Sequence, residues 1–152
     1  MNHTETFEER NKSGIDIADD KCVEYLNRNN IKYERTGFDC RDKVGIKDFV
    51  KINPYLRAMP DFVVFRQEAI FIECKGFNGT LKLKMGDVDA YKYWDKFQKV
   101  WFFFYDCSSN KPYILSLDRI NEVLDNCEVG YYEDNKKPYY ILPKTLLDTL
   151  SL

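Results

Sequence analysis

Met59-Pro60-Asp61-Phe62-Val63-Val64-Phe65 and Ile70-Phe71-Ile72-Glu73-Cys74-Lys75-Gly76 are the stretches that decide how this chain is read. Each is an apolar run of strand length; an acid opens the first and a Glu-x-Lys closes the second. Between them Arg66-Gln67-Glu68 is polar and short enough to be a hairpin loop. With those residues as the loop, Phe65 faces Ala69, and counting back along an antiparallel pair sets Asp61 opposite Glu73 on the same face. A two-residue loop would shift the pairing by one. Side chains alternate along a strand, so in either register Glu73 and Lys75 share one face while Ile72 and Cys74 point to the other. Two carboxylates and an ammonium then converge at one strand end. Like charges that close repel and cannot all be buried unpaired, which makes a divalent cation the natural counter-charge. Oxygen ligands in this number favour Mg2+ or Mn2+.

The same residues resemble the signature of the PD-(D/E)XK nuclease superfamily, matched as Pro60-Asp61, Glu73, Cys74 and Lys75. The resemblance implies that Asp61, Glu73 and the Cys74 main-chain carbonyl hold the metal. It implies too that Lys75 orients or helps activate the attacking water. A blander reading has Asp61 capping a strand and Glu73 with Lys75 forming a surface ion pair. That reading leaves three charges on one face of an otherwise very apolar strand pair.

Upstream, Ser13-Gly14 offers a helix start, and Ile15, Cys22 and Leu26 recur at helical spacing with Ala18, Val23 and Tyr25 widening the stripe, up to Asn29-Asn30. Asp19 falls on that stripe and should face the sheet, where an acid needs a partner. Superfamily members resembling archaeal Holliday-junction resolvases carry an acidic residue on this first helix, aimed at the metal. By that resemblance Asp19 joins the catalytic and metal-ligating set, with Asp16, Asp20 and Glu24 as open alternatives and a solvated acidic helix face as the competing reading.

The rest of the chain is expected to supply a strand over Ile31 to Arg35, a second around Phe49 to Ile52 broken by Asn53-Pro54, and a flexible loop from Gly76 to Thr80. Leu81-Lys82-Leu83-Lys84 alternates, so both lysines share a side; they are candidate phosphate contacts, or ordinary protection of a strand edge. Asp87 to Gln98 reads as a helix whose buried stripe is Ala90, Tyr91, Trp94 and Phe97, aromatics that suit a core better than a base-stacking platform. Val100 to Tyr105 is continuously apolar, as an interior strand is. Beyond it come a strand at Tyr113 to Leu117, a helix at Leu117 to Leu124, a strand at Tyr139 to Leu142, and Pro143 at the first position of a helix over Lys144 to Leu150.

The expected architecture is α/β: one domain with a mixed central β-sheet flanked by helices, the αβββαβ core of restriction-endonuclease-like folds. Residues 1–13 are expected to form a disordered tail, 14–105 the core, and 106–152 an extension of unread role.

At 152 residues with 44% hydrophobic and 16% aromatic content, the chain can bury one sizeable core. No segment approaches the ~20 apolar residues a membrane span needs, and the N-terminus lacks a signal-peptide core, so the cytoplasm is the expected location. Five scattered cysteines without a Cys-x-x-Cys pair read as reduced, mostly buried thiols and not as a zinc site. The only histidine is His3, which excludes His-based nuclease chemistry. The formal net charge of -2 is the main objection to a nucleic-acid substrate. Its distribution answers part of that objection: residues 32–57 hold seven Lys/Arg against four Asp/Glu and residues 73–100 hold six against four, whereas both ends are acidic.

The function expected is therefore a Mg2+-dependent endonuclease that hydrolyses DNA phosphodiester bonds in a structure-directed or nonspecific way. The resolvase-like branch further implies branched DNA and a two-fold homodimer. An RNA-cleaving relative, or a catalytically weak nuclease-like module that binds DNA or a protein, stays open.

Overall fold

The hairpin forms in the register its loop length dictates. The computed structural model describes residues 15–37 and 51–151. In it β2 (Phe62–Phe65) pairs antiparallel with β3 (Ala69–Phe77), with Phe65 opposite Ala69 and Phe62 opposite Ile72. Continuing that ladder by one residue brings Asp61 level with Glu73. On the outer side of β2 lies β1 (Lys32–Arg35), antiparallel, with Arg35 across from Phe62.

Beyond β3 the sheet continues with β5 (Val100–Asp106), parallel to it, and β6 (Lys111–Ser116), antiparallel to β5. The order β1-β2-β3-β5-β6 is thus a mixed sheet. A parallel neighbour requires a crossover, and α3 (Met85–Asp95) supplies it. The interior strand Val-Trp-Phe-Phe-Phe-Tyr-Asp is buried along nearly its whole length, as its apolar run requires.

Two cores sandwich this sheet. On one face α1 (Ile15–Arg28) places Ala18, Cys22 and Leu26 against Phe62, Val64, Ile72, Cys74 and Phe103. On the other, Phe71, Phe102, Phe104 and Leu115 pack with Val88 and Tyr91 of α3 and with Leu117, Ile120 and Leu124 of α4 (Leu117–Leu124). Leu147 and Leu150 of α5 (Lys144–Leu150) close that layer.

Several expectations change. Gly76 to Thr80 is not a flexible loop: β3 runs on to Phe77, and Asn78-Gly79, with Gly79 at φ +74°, makes a tight turn into β4 (Thr80–Lys84). Lys51 and Ile52 are turn and bend, not strand; Phe49 and Val50 lie outside the described residues, as do the tail over 1–13 and the helix start at Ser13-Gly14. Asn53 does not merely break a strand. Its side chain accepts from the Tyr55 N–H and caps α2 (Pro54–Arg57), with Pro54 where a first-turn proline is tolerated. The α3 helix ends at Asp95, and Phe97, expected in the core, is 60% exposed. Pro143 is the residue before α5 rather than its first turn.

The extension has two roles in the architecture. Its first part adds β6 to the main sheet. Its last part forms β7 (Glu128–Tyr131), unforeseen from the sequence, and β8 (Pro138–Pro143), which pair with β4 as a separate sheet of order β4-β8-β7.

Asp106, fully buried at the end of β5, ties these parts together. It accepts from the Gly79 N–H (3.0 Å), the Ser108 N–H (3.1 Å) and the Ser108 hydroxyl (2.7 Å), and Lys144 lies 3.7 Å away. Burial alone would raise its pKa, but the Ser109 and Ser108 hydroxyls and the Gly79 amide outweigh burial and hold it below the ordinary carboxylate value of 3.8. A carboxyl depressed on folding stabilises at pH above its unfolded value, and that stability drains away as pH falls toward the folded pKa. We therefore expect Asp106→Asn to cost about 2 kcal/mol at pH 7. The gap between wild type and variant should narrow as urea titrations are taken below pH 4; a gap independent of pH would show that Asp106 is not held as an anion.

Candidate active site

Asp61 sits at the mouth of β2, where the chain must come close to itself. Its carbonyl accepts from the Thr36 N–H (2.8 Å) and the Gly37 N–H (3.1 Å), while the Thr36 hydroxyl donates to the Pro60 carbonyl (2.9 Å). A Cβ at Gly37 would lie 2.9 Å from the Asp61 Cα and 3.1 Å from its Oδ1, so glycine is what lets this segment brace the acid. The carboxylate in turn accepts from the Cys74 N–H at 2.8 Å, fastening Asp61 to the strand that carries Glu73 and Lys75.

On the α3 side of the sheet, Glu73 and Lys75 project together as alternation requires, with Nζ 3.7 Å from Glu73 Oε1. Two residues not singled out as site residues complete this side. Asp87, in the first turn of α3, lies 3.5 Å from Lys75 Nζ. Tyr91, one turn further on and assigned to the core, donates its hydroxyl to Glu73 Oε1 at 2.8 Å. Both follow β3 in sequence across a connection whose length conceals the contact; the i, i+4 spacing of Asp87 and Tyr91 on one helix was the available signal.

On the α1 side, Asp19 is 4% exposed, and its Oδ2 accepts from Arg35 Nη1 at 3.1 Å. Asp20 and Glu24 face solvent, and the side chain of Asp16 lies outside the described ones. Asp19, Asp61 and Cys74 each offer a ligand-type atom within 4.8 Å of the others. The Cys74 contribution to that cluster is its thiol, where sequence reasoning considered only its carbonyl. The Cys74 thiol is pushed up by burial and by contact with the Cys22 thiol, so it stays protonated.

The electrostatics follow from crowding. Burial, then the neighbouring Asp61, pushes Glu73 well above the usual carboxylate range, against the opposing pull of Lys75. Burial also raises Asp61, although the Cys74 N–H, Lys75 and Arg35 stabilise its anion. Burial would lower Lys75, but Asp87, Glu73 and Asp61 outweigh it and hold the ammonium well above its ordinary value. Lys75 is thus a fixed cation and donor, not a base. Tyr91, raised by burial and by Glu73, stays a phenol and a donor.

Among the described residues, four acids (Asp19, Asp61, Glu73, Asp87) gather with two cations (Arg35, Lys75), and the upward push on Asp61 and Glu73 reflects that excess of carboxyl groups. A divalent cation fits that excess and the predominantly oxygen donor set. Lys82 and Lys84 are not part of this cluster: they share a side of β4, with their ammonium groups 5.2 and 5.6 Å from the ring centres of Tyr139 and Tyr132.

No protein-family profile and no curated protein matches the sequence. The backbone matches solved structures instead. Hjc, a Holliday junction resolvase from the archaeal hyperthermophile Archaeoglobus fulgidus, superposes with a TM-score of 0.56 at 11% identity, over 88% of this chain and 92% of that one. This chain shares the fold of that resolvase. A nuclease from a fusselovirus shares it, with a TM-score of 0.51 at 13% identity over 90% and 88% of the two chains. The nuclease fold agrees with the resemblance to the resolvase-like PD-(D/E)XK branch carried by Pro60-Asp61 and Glu73-Cys74-Lys75, and the expected mixed α/β architecture is the one observed.

Within this nuclease fold, burial singles out Asp19 among the first-helix acids whose side chains are described. Asp19→Asn, nearly isosteric, is expected to lower cleavage by about tenfold or more, whereas Asp20→Asn and Glu24→Gln leave it within about twofold. Initial rates on plasmid DNA check this, and equal small effects in all three variants would leave α1 as scaffold only.

Proposed function

We propose that the protein is a divalent-metal-dependent endonuclease that hydrolyses DNA phosphodiester bonds. The observation that carries the reading is the convergence of Asp61, Glu73 and Lys75 at one end of the β2–β3 hairpin, inside a fold shared with a Holliday junction resolvase and a viral nuclease. Asp61, Glu73, Asp19 and the Cys74 carbonyl would hold Mg2+ or Mn2+, and the bound ion supplies Lewis acidity to the phosphate and to a water. The protein's own groups do the rest. Lys75, held as an ammonium, donates to the attacking water or a phosphoryl oxygen and offsets charge as the transition state forms. Tyr91 fixes Glu73 in place, and Asp87 fixes Lys75. The water oxygen bonds to phosphorus, its proton leaves to solvent, and the departing oxygen takes up a proton as its bond to phosphorus breaks.

Lys82 and Lys84 would contact phosphates flanking the cut. With no sequence signature of a base-reading module in the chain, cutting would be structure-directed or nonspecific. A two-fold homodimer would set two sites on opposing strands of a branched substrate. The cytoplasm is the proposed setting; among the described residues no helix is long and apolar enough to cross a membrane. Incubation with plasmid, single-stranded, four-way-junction and RNA substrates in Mg2+ and Mn2+ tests the reading. Cleavage of RNA alone would move it to an RNA-cleaving relative, and no cleavage of any substrate would leave a binding module.

A further inference from the structure

The expected buried stripe of α3 opens onto the surface at its C-terminal end. Tyr55, Leu56, Tyr93 and Phe97 are 48, 44, 37 and 60% exposed, and they adjoin one another. The Tyr55 and Tyr93 rings lie 4.6 Å apart, and the Tyr93 and Phe97 rings 5.4 Å apart. Single exposed apolar residues are ordinary, but a contiguous aromatic patch marks a binding surface. The patch is also built. Trp94 donates its indole N–H to the Tyr55 carbonyl at 2.9 Å and packs edge-on against the buried Phe71, which locks α2 to α3. Asn53, Tyr55, Leu56, Tyr93 and Trp94 line a groove of about 290 Å3 between them. That is near the lower end for small-ligand clefts, roughly 300–1,000 Å3, and suits a flat ring better than a helix or a duplex.

Charge and position name the occupant. Lys92 within α3 and Lys96 just past its end are exposed, adjoin Tyr93 and Phe97 in sequence and make no ion pair among the described residues, with Asp89 as the exposed acid set against them. Asp95 is occupied by Lys99 and by the Val100 N–H. Aromatic rings interleaved with unneutralised lysines are the surface on which unpaired bases stack while phosphates are held alongside. The same helix carries Asp87 and Tyr91 into the active site, and the six residue steps from Asp87 to Tyr93 span about 9 Å of helix, or two to three nucleotides at a 3.4 Å rise.

The geometry points to a base-stacking platform, formed by Tyr55, Tyr93 and Phe97, that holds two or three unpaired nucleotides of a single-stranded DNA segment next to the scissile phosphate. The inference rests on the nuclease reading and narrows its substrate to DNA with an unpaired stretch beside the cut.

The test separates binding from hydrolysis. In EDTA, fluorescence anisotropy would compare a labelled single-stranded oligodeoxynucleotide with a hairpin duplex of equal length. Tyr93→Ala combined with Phe97→Ala should weaken single-strand binding by about 10- to 100-fold and duplex binding by less than about twofold, while Phe97→Tyr keeps wild-type affinity. Tyr93 packs on Tyr55, Trp94 and Phe97, so the double variant should lower the thermal melt modestly, and the unchanged duplex affinity shows that the fold is retained. Unchanged single-strand affinity, equal loss on both substrates, or a wild type that binds no single strand overturns the platform. Loss of a dimer in sedimentation with oligonucleotide affinity intact would also overturn it, assigning the patch to a second copy of the chain. A wild type that binds the oligonucleotide as expected yet cleaves nothing in Mg2+ or Mn2+ would overturn the nuclease reading alone.

Discussion

Lys75→Ala is expected to lower plasmid cleavage by about two to four orders of magnitude while Mn2+ still binds. Lys75 is set between Glu73 at 3.7 Å and Asp87 at 3.5 Å, on the interior side of a strand, and those carboxylates keep it charged. A cation so held does not remove a proton from water; in the proposed reaction it would contribute a donor and a positive charge at the place where phosphoryl charge develops. Truncation deletes that charge from a site with a carboxylate excess and so penalises the transition state more than the ground state, which predicts a fall in kcat with KM little changed. Lys75→Arg should recover part of the loss by keeping the charge, though a planar fork does not fit a point-charge position. A Lys75→Ala enzyme within about threefold of wild type would remove Lys75 from the mechanism.

The second large effect concerns the metal. Cleavage should vanish in excess EDTA, return with Mg2+ or Mn2+, and remain poor with Ca2+, whose larger and looser shell positions a nucleophile badly. Binding should also stabilise the fold, because the ion relieves the repulsion among Asp61, Glu73 and Asp19: at a hundred times Kd the gain is about 2.7 kcal/mol. Asp61→Ala should lose cleavage and the Mn2+-induced rise in Tm together, since that carboxylate links both halves of the site: it accepts from the Cys74 amide, lies within 4.8 Å of Asp19 on one side, and interacts with Glu73 on the other. Calorimetry showing unaltered Mn2+ affinity in Asp61→Ala would withdraw Asp61 as a ligand.

Local rules carried far in this protein because the decisive contacts lie close in sequence. A three-residue loop and strict alternation placed Asp61, Glu73 and Lys75 in one register, and helical spacing turned Asp19 inward. The apolar run at Val100 to Tyr105 announced an interior strand without any knowledge of its neighbours.

What local rules could not supply was distance in sequence made near in space. Asp87 and Tyr91 become site residues only because the β3–α3–β5 crossover lays their helix over Glu73, and periodicity gives a face but not the neighbour it meets. Gly76 looked like a loop beside Asn78 and Gly79, yet β3 runs through it, held by the ladder to β5 with Gly76 opposite Tyr105. Phe97 had the spacing of a core residue and is exposed because α3 ends at Asp95, before its face reaches the sheet. The second sheet joins Thr80–Lys84 to Pro138–Pro143 across most of the remaining chain. The sequence by itself determined the strand pair, its register and the residue types gathered at its end, since those follow from steric alternation over a few residues. Only the tertiary structure decided which helices close over that end, which thiol and phenol join it, and which aromatics stay in water, since those depend on how distant segments share one limited interior.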